Sequence, residues 1–347
     1  MYLKKIVVAI VLLGAVAMGA FAWYIYSAAF TPNTAFNNAE AHIYIPTNAT
    51  MAIVMEEVAP LLENTDSFLA VANRKKYSAN IKPGHYIITK GMTNNDIINT
   101  IRSQNVPVFV KFNNQERLEN LAGHIAGQIE ADSLSLITAM KDSVYLKKVG
   151  LTPETAISEY IPNTYEFYWN SSAEAFRSRM KTEYKNFWTD NRTKKAKALN
   201  LTKRQVITLA SIVQKETAKV DERPRVAGVY LNRLKVGMLL QADPTVIYAL
   251  KRETGDYDKV IKRVLYADLQ VDSPYNTYKY AGVPPGPITM PDISAIDAVL
   301  NPEKHGYYYF VADVTNFGYH KFAKNLRQHN ANKAEYVRWV NKQGVKR

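Results

Sequence analysis

The chain contains no cysteine in 347 residues. That excludes a thiol nucleophile, a cysteine-ligated zinc and an iron–sulfur cluster, and leaves the redox compartment open. Histidine is scarce too. Six are present, none in a His-x-x-x-His pair, so there is no zinc signature and neither metal nor cofactor is expected. Only 15 glycines and 15 prolines occur, and neither a low-complexity tract nor a fixed-period repeat is found, which sets aside collagen-like and disordered classes. No helix-turn-helix, zinc-finger or RNP-type motif accompanies the basic charge, so nucleic acid is not an expected partner.

What is present is an ordinary globular composition, 47% hydrophobic, with a formal net charge of +13. The length allows two or three domains. The charge is uneven. Tyr319 to Arg347 carries eight basic residues against one acid, Glu335, a net +7, while Glu40 to Gly150 balances eleven against eleven. A solvated C-terminal helix face and a surface for an acidic partner both fit the basic segment.

One long apolar run exists. After Lys4 and Lys5 it extends from Ile6 to Phe30, and the next charge is Glu40. About 20 apolar residues cross a bilayer core, and Trp23, Tyr24 and Tyr26 fall where an interfacial aromatic belt lies. Residues 1–30 are therefore expected to be a cytoplasmic N-terminus and transmembrane anchor, with the remainder exported. The rival is a cleaved signal peptide, with Ala20-Phe21-Ala22 as its small-x-small site.

Residues 31–41 read as a linker. A small module at 42–112 follows, with strands at His42–Ile45 and His85–Ile88 enclosing helices at Met51–Leu62 and Asp66–Arg74. This β-α-α-β order is that of small LysM-like glycan-binding modules. Thr93 with Asp96 forms a capping box before another helix. Val106–Phe112 alternates like a strand, and residues 113–150 form a helical connecting segment. From 151 to 347 the chain becomes rich in Tyr and Trp, with loops of Asn, Pro and Thr; this is the expected catalytic domain. The fold class is α+β: a transmembrane helix, the small module and a larger mixed α/β domain.

Within that last domain Thr202 and Gln205 make a capping box, and Val206, Leu209, Val213, Glu216 and Val220 follow at spacings of three and four. This places Glu216 on the apolar stripe near a helix C-terminus. Burial and the helix dipole both disfavour its charged form there, which suits a carboxylic acid that must hold a proton near neutrality. The bland alternative is that Glu216 pairs with Arg223 or Arg225 and ends a helix. A second helix is expected over Arg225–Leu234, stopped by Gly237. In Leu240-Gln241-Ala242-Asp243-Pro244-Thr245, Asp243 reads as the N-cap of the next helix, with Pro244 at its first position. That reading explains Asp243 structurally and leaves Gln241 without such an explanation. The segments 272–278 and 282–287 form a long proline-stiffened loop of hydroxyl, amide and aromatic groups, the ingredients of a carbohydrate site and also of a structured surface loop.

Together these segments resemble the MltG-type (YceG-like) endolytic murein transglycosylase family. The resemblance rests on Leu209-Ala210-Ser211-Ile212-Val213-Gln214-Lys215-Glu216-Thr217, on Tyr230-Leu231-Asn232-Arg233-Leu234, and on Gly237 to Tyr248 around Gln241-Ala242-Asp243-Pro244-Thr245. It continues through Ser273-Pro274-Tyr275-Asn276-Thr277-Tyr278, Pro284-Pro285-Gly286-Pro287-Ile288, Tyr309-Phe310-Val311 and Gly318-Tyr319-His320-Lys321-Phe322. It implies that Glu216 is the catalytic acid and base, and that Asn232, Gln241, Thr245, Tyr275, Asn276, Thr277 and Tyr278 are candidate substrate contacts. It further implies cleavage of the bond between N-acetylmuramic acid and N-acetylglucosamine without water, forming 1,6-anhydro ends in peptidoglycan glycan strands. An inner-membrane location, contact with lipid through the N-terminal helix and a peptidoglycan synthase as partner follow from the same resemblance. Two departures stand out: Gln214 occupies a position where many relatives carry a second glutamate, and the family's Pro-Asp-Thr-Tyr appears as Pro162-Asn163-Thr164-Tyr165. A hydrolytic muramidase and a non-catalytic wall-binding scaffold are the alternatives. A hydrolase needs a second carboxyl, for which Glu222 and Asp272 remain open.

Overall fold

The computed structural model describes residues 2–343, so Lys346 and Arg347 of the basic C-terminal segment lie outside the described residues. The protein is mixed α/β, and among the described residues its strands pair only in twos. It divides into two compact units. The first runs to Val110 and takes in Ala126–Ala131 and Tyr165–Ser172; the second takes Lys111–Ile125, Asp132–Thr164 and the chain from Ala173 onward.

The first unit begins with α1 (Tyr2–Phe30), an uninterrupted helix of 29 residues. At ~1.5 Å rise it is about 43 Å long, more than the ~30 Å of a bilayer core. None of its residues is buried within the protein, and side chains such as Leu13, Val16 and Phe21 are exposed. The connecting stretch 31–41 is not a free tether. Asn33 is buried; its amide donates to the Asn64 carbonyl and to Asn94 Oδ1, and its own oxygen accepts from the Asn64 N–H. Asn94 in turn donates to the Ala28 carbonyl, 2.8 Å away. Unpaired, these buried amides would each cost about 1 to 3 kcal/mol; paired, they fasten the end of α1 to the module.

In that module β1 (Glu40–Ile45) pairs antiparallel with β2 (Gly84–Thr89), from Glu40 opposite Thr89 to Ile45 opposite Gly84. Between them lie α2 (Met51–Val58) and α3 (Thr65–Arg74). The expected longer second helix stops at Val58, and Pro60 sits in a short 3-10 turn beyond it. Next comes α4 (Asn94–Ser103), begun by the Thr93–Asp96 capping box. The core takes Ile43 and Ile45 from alternate positions of β1, Val54 and Val58, Phe68 and Val71, and Ile97, Ile98 and Ile101 at helical spacing. The chain leaves this unit within β3 (Val108–Phe112) and returns within β4 (Asn163–Phe167).

Between those strands come α5 (Leu118–Ala126), α6 (Ser133–Met140) and α7 (Ser143–Val149). After β4 the second unit continues with α8 (Ala173–Phe187), α9 (Asp190–Ala198) and α10 (Lys203–Glu216). The Thr202–Gln205 capping box is present at the start of α10. Every residue from Val206 to Val213 is buried, so α10 is not a one-faced amphipathic helix but the central rod of this unit. Around it pack α11 (Arg223–Lys235), α12 (Asp243–Thr254) and α13 (Ile293–Leu300). The polar residues inside α10 are satisfied: Ser211 donates to the Thr208 carbonyl and accepts the Ile288 N–H. The chain ends with the antiparallel pair β5 (Tyr309–Ala312) and β6 (His320–Ala323) and with α14 (Leu326–Lys342).

Candidate active site

Glu216 is the last residue of α10, and the chain turns out of the helix at Thr217. Val220, the fifth member of the spacing read from the sequence, therefore lies beyond the helix and is exposed. Ending α10 at Glu216 leaves the carboxyl at the tip of the central rod. It borders a cavity of about 300 Å³ lined by Glu216, Arg233, Gln241, Asp243, Tyr278, Tyr309, Phe310, Leu326 and His329. The pairing with Arg223 or Arg225 is absent. Arg223 bonds Ser294 and Asp292, and Arg225 clasps Glu303 with its Nε 2.9 Å and 3.0 Å from the two carboxylate oxygens.

The partner of Glu216 is instead a phenol: Tyr230 of α11, fully buried, donates to Glu216 Oε1 at 2.5 Å. Burial raises the Glu216 carboxyl from its ordinary value to about 7, outweighing the hydrogen bond from Tyr230, which favours the ionised form. The negative charge of Asp243 adds to the rise, while His320 and Arg233 oppose it. Burial holds the Tyr230 hydroxyl far above its ordinary value, so it remains the donor. Arg233 is itself buried and held by backbone, its Nε bonding the Tyr308 carbonyl at 2.6 Å and its Nη1 the Leu240 carbonyl at 2.5 Å. A half-protonated acid at neutral pH beside a fixed cation is equipped to give up a proton and to hold the resulting carboxylate.

The profile of the YceG-like family matches residues 43–335. The chain belongs to the YceG-like family. It is 30% identical over 280 residues to a Bacillus subtilis protein named endolytic murein transglycosylase, an alignment covering 76% of this chain and 75% of that one. A Streptococcus pneumoniae protein of the same name is 31% identical over 315 residues, covering 81% of this chain and 55% of the relative. A 2.6 Å crystal structure of a YceG-like protein from Listeria monocytogenes is similar at TM-score 0.56 and 26% identity, over 85% of this chain and 99% of that one.

Of the site residues read from the sequence of this YceG-like chain, the structure brings Glu216, Gln241 and Tyr278 together at one cavity. Gln241 is exposed there and has a left-handed backbone, φ 48°. Its N–H is held by the Thr277 carbonyl at 3.0 Å. Sparsely populated conformations in non-glycine residues concentrate at functional sites. The other candidates, Tyr275 apart, spend their polar atoms on the frame. Asn232 donates to the carbonyls of His305 and Tyr307. Thr245 and Thr277, both buried, lie 2.8 Å apart through their hydroxyls, and Thr277 also accepts the Ala242 N–H. Asn276 is buried and donates to the Leu269 and Val271 carbonyls. Tyr275 is buried with its ring against Tyr248.

Asp243 requires a correction. It is not an N-cap: Ala242 is, and no side chain caps α12. The Ala242 carbonyl accepts the Thr245 N–H and hydroxyl, which frees Asp243 to face the cavity, where Tyr278 donates to its Oδ1 at 2.5 Å. The carboxyl that lines the cavity with Glu216 is thus Asp243, and neither Glu222 nor Asp272. Glu222 is bound to His320, and Asp272 is exposed and accepts from Tyr280. Gln214 accepts the Asp292 N–H at the head of α13. Local sequence pattern does not single out Arg233, Tyr309, Phe310, Leu326 and His329, which also line the cavity. Arg233, Tyr309 and Phe310 sit in segments carrying the family resemblance, the one signal that points toward them.

Proposed function

We propose that this chain is an endolytic peptidoglycan lytic transglycosylase in which Glu216 is both acid and base. One observation carries the reading: the carboxyl of Glu216, bonded to Tyr230 and raised to about 7 by burial, opens on a cavity of substrate-binding size. The names of the relatives agree with it. In the reaction Glu216 gives its proton to the oxygen linking N-acetylmuramic acid to N-acetylglucosamine, and the bond from C1 to that oxygen breaks. The muramic acid 6-hydroxyl then forms a bond to C1 while the Glu216 carboxylate takes its proton. The acid is regenerated, a 1,6-anhydro end forms, and no water enters.

The presence of Asp243 in the same cavity supports a second reading, hydrolysis by a muramidase, because a glycoside hydrolase works with two carboxyls. Mass spectrometry of digested peptidoglycan separates the two. Anhydro ends support the transglycosylase, and reducing ends overturn it. Glu216→Gln, which keeps the shape without the acid, should abolish either product; a variant that cleaves like the parent overturns the role of Glu216, and a parent that binds peptidoglycan without cleaving it leaves a wall-binding scaffold.

The surrounding functions belong to the same proposal. The apolar length of α1 and the two lysines before it support a single-pass anchor in the cytoplasmic membrane, N-terminus inside, with the second unit on the outer side. The β-α-α-β order supports a LysM-like module. An enzyme so placed meets glycan strands as they are made, which fits a role in ending strand elongation beside a peptidoglycan synthase.

A further inference from the structure

The two carboxyls of the cavity are held differently, and the difference gives Asp243 a task. Glu216 is half-buried at the end of α10, and its partner Tyr230 is fully buried. Asp243 is exposed to the open cavity from the first residue of α12. Its partner is Tyr278, a phenol that burial and the adjacent Asp243 keep well above its ordinary value. Tyr278 therefore retains its proton and donates it, and Asp243 accepts. A helix N-terminus also favours a carboxylate at this position. That carboxylate does not cap α12: Ala242 is the N-cap, without a side-chain cap bond, and the backbone before Asp243 is held by Thr277.

Resting on the reading of the site as a transglycosylase, we propose that Asp243 is a second catalytic group, which faces the sugar ring and stabilises the positive charge that develops on it as the C1–oxygen bond breaks. Tyr278 is its positioning residue. The proton inventory given above is unchanged, since Asp243 neither gives nor takes a proton in this step and supplies charge alone. When substrate displaces water from the cavity, the attraction between this fixed carboxylate and the transient cation strengthens, because the surroundings then screen it less. The same charge helps Glu216 to keep its proton beforehand. The cavity then has one acid to break the bond and one anion to stabilise what the break creates.

The test uses the full-length chain with intact peptidoglycan, comparing the parent with Asp243→Asn, Asp243→Glu, Tyr278→Phe and Glu216→Gln. Asp243→Asn should lower kcat by about a hundredfold with KM within a few-fold, the scale of losing one preorganised electrostatic group. Its thermal midpoint should stay near that of the parent. The charges facing Glu216 come from Asp243 on α12, Arg233 on α11 and His320 on β6, with Tyr230 donating to it. Removing the charge of Asp243 lowers the pKa of Glu216, so the alkaline fall in rate should move to lower pH. Asp243→Glu should recover part of the rate, and Tyr278→Phe should lose about tenfold in kcat. The proposal is overturned if Asp243→Asn keeps kcat within twofold, or if its loss follows a lowered thermal midpoint with the alkaline fall unmoved and Asp243→Glu no better. A parent that forms no anhydro ends, or an active Glu216→Gln, overturns the reading of the whole site. Those two behaving as expected beside a fully active Asp243→Asn overturns this inference alone.

Discussion

Glu216 and Glu222 are six residues apart on the same turn between α10 and α11, and they end in opposite states. Glu222 is the more enclosed of the two as a residue, only 3% exposed. Burial alone would raise it, yet its carboxyl lies below the ordinary value, because the His320 ring and backbone N–H both bond it, at 2.8 Å and 2.7 Å. Glu216 has one bond from a neutral phenol, which does not offset its burial, and rises to about 7. Burial sets the cost of the charge, and the partner decides whether the charge is kept. One turn of chain thus carries one carboxyl held below its ordinary value and one held well above it.

The largest effect that would break this comparison is on cleavage. Glu216→Gln should reduce the release of muropeptides from peptidoglycan by about a thousandfold or more, the upper range for losing a general acid–base; a loss of less than tenfold would place Glu216 with Glu222 as structural. The same substitution should stabilise the protein. A carboxyl whose folded pKa exceeds its unfolded value binds more protons when folded, so stability falls as pH rises from about 4.5 to about 7 and stays reduced above. Glu216→Gln should therefore raise the unfolding free energy at pH 8, by on the order of 1 to 3 kcal/mol, and by little at pH 4.

Glu222 should behave in the opposite sense. Its depressed folded value contributes stability that is present above about 4.5 and is lost as pH falls through the folded value. Glu222→Gln should lower the unfolding free energy at pH 7 by about 1 to 3 kcal/mol, the difference shrinking in acid, as followed by thermal melts across pH. The smallest effect belongs to Tyr230→Phe. Its hydroxyl favours ionised Glu216, so its removal should move the alkaline fall in rate to higher pH with only a few-fold change in maximal rate.

Much of this was readable beforehand, and the failures have physical causes. The two capping boxes, the helix ending in Glu216, the stop at Gly237 and the β-α-α-β order depend on neighbours in sequence, which is why local pattern finds them. Gln241, which the sequence leaves without a structural duty, lines the cavity. The sequence pattern points to Asp243 rather than Ala242 as N-cap because the two positions differ by one residue. What decides between them is Thr277, which holds the Ala242 N–H from 35 residues away. Asn232, Thr245, Asn276 and Thr277 have the composition of a sugar site but serve as its frame, and no local pattern tells a hydroxyl that faces a cavity from one that faces a carbonyl. Arg233, Phe310 and His329 reach the cavity only when α11, β5 and α14 are assembled around the end of α10.

The central claim is that Glu216 keeps its proton close to neutrality while its neighbour Glu222 does not. Its most direct test follows the side-chain carboxyl of Glu216 by carbon-13 NMR across pH in the full-length chain, with the signal assigned by its disappearance in Glu216→Gln. The account predicts a titration midpoint near 7. A midpoint at or below the ordinary glutamate value of about 4.3 would contradict it.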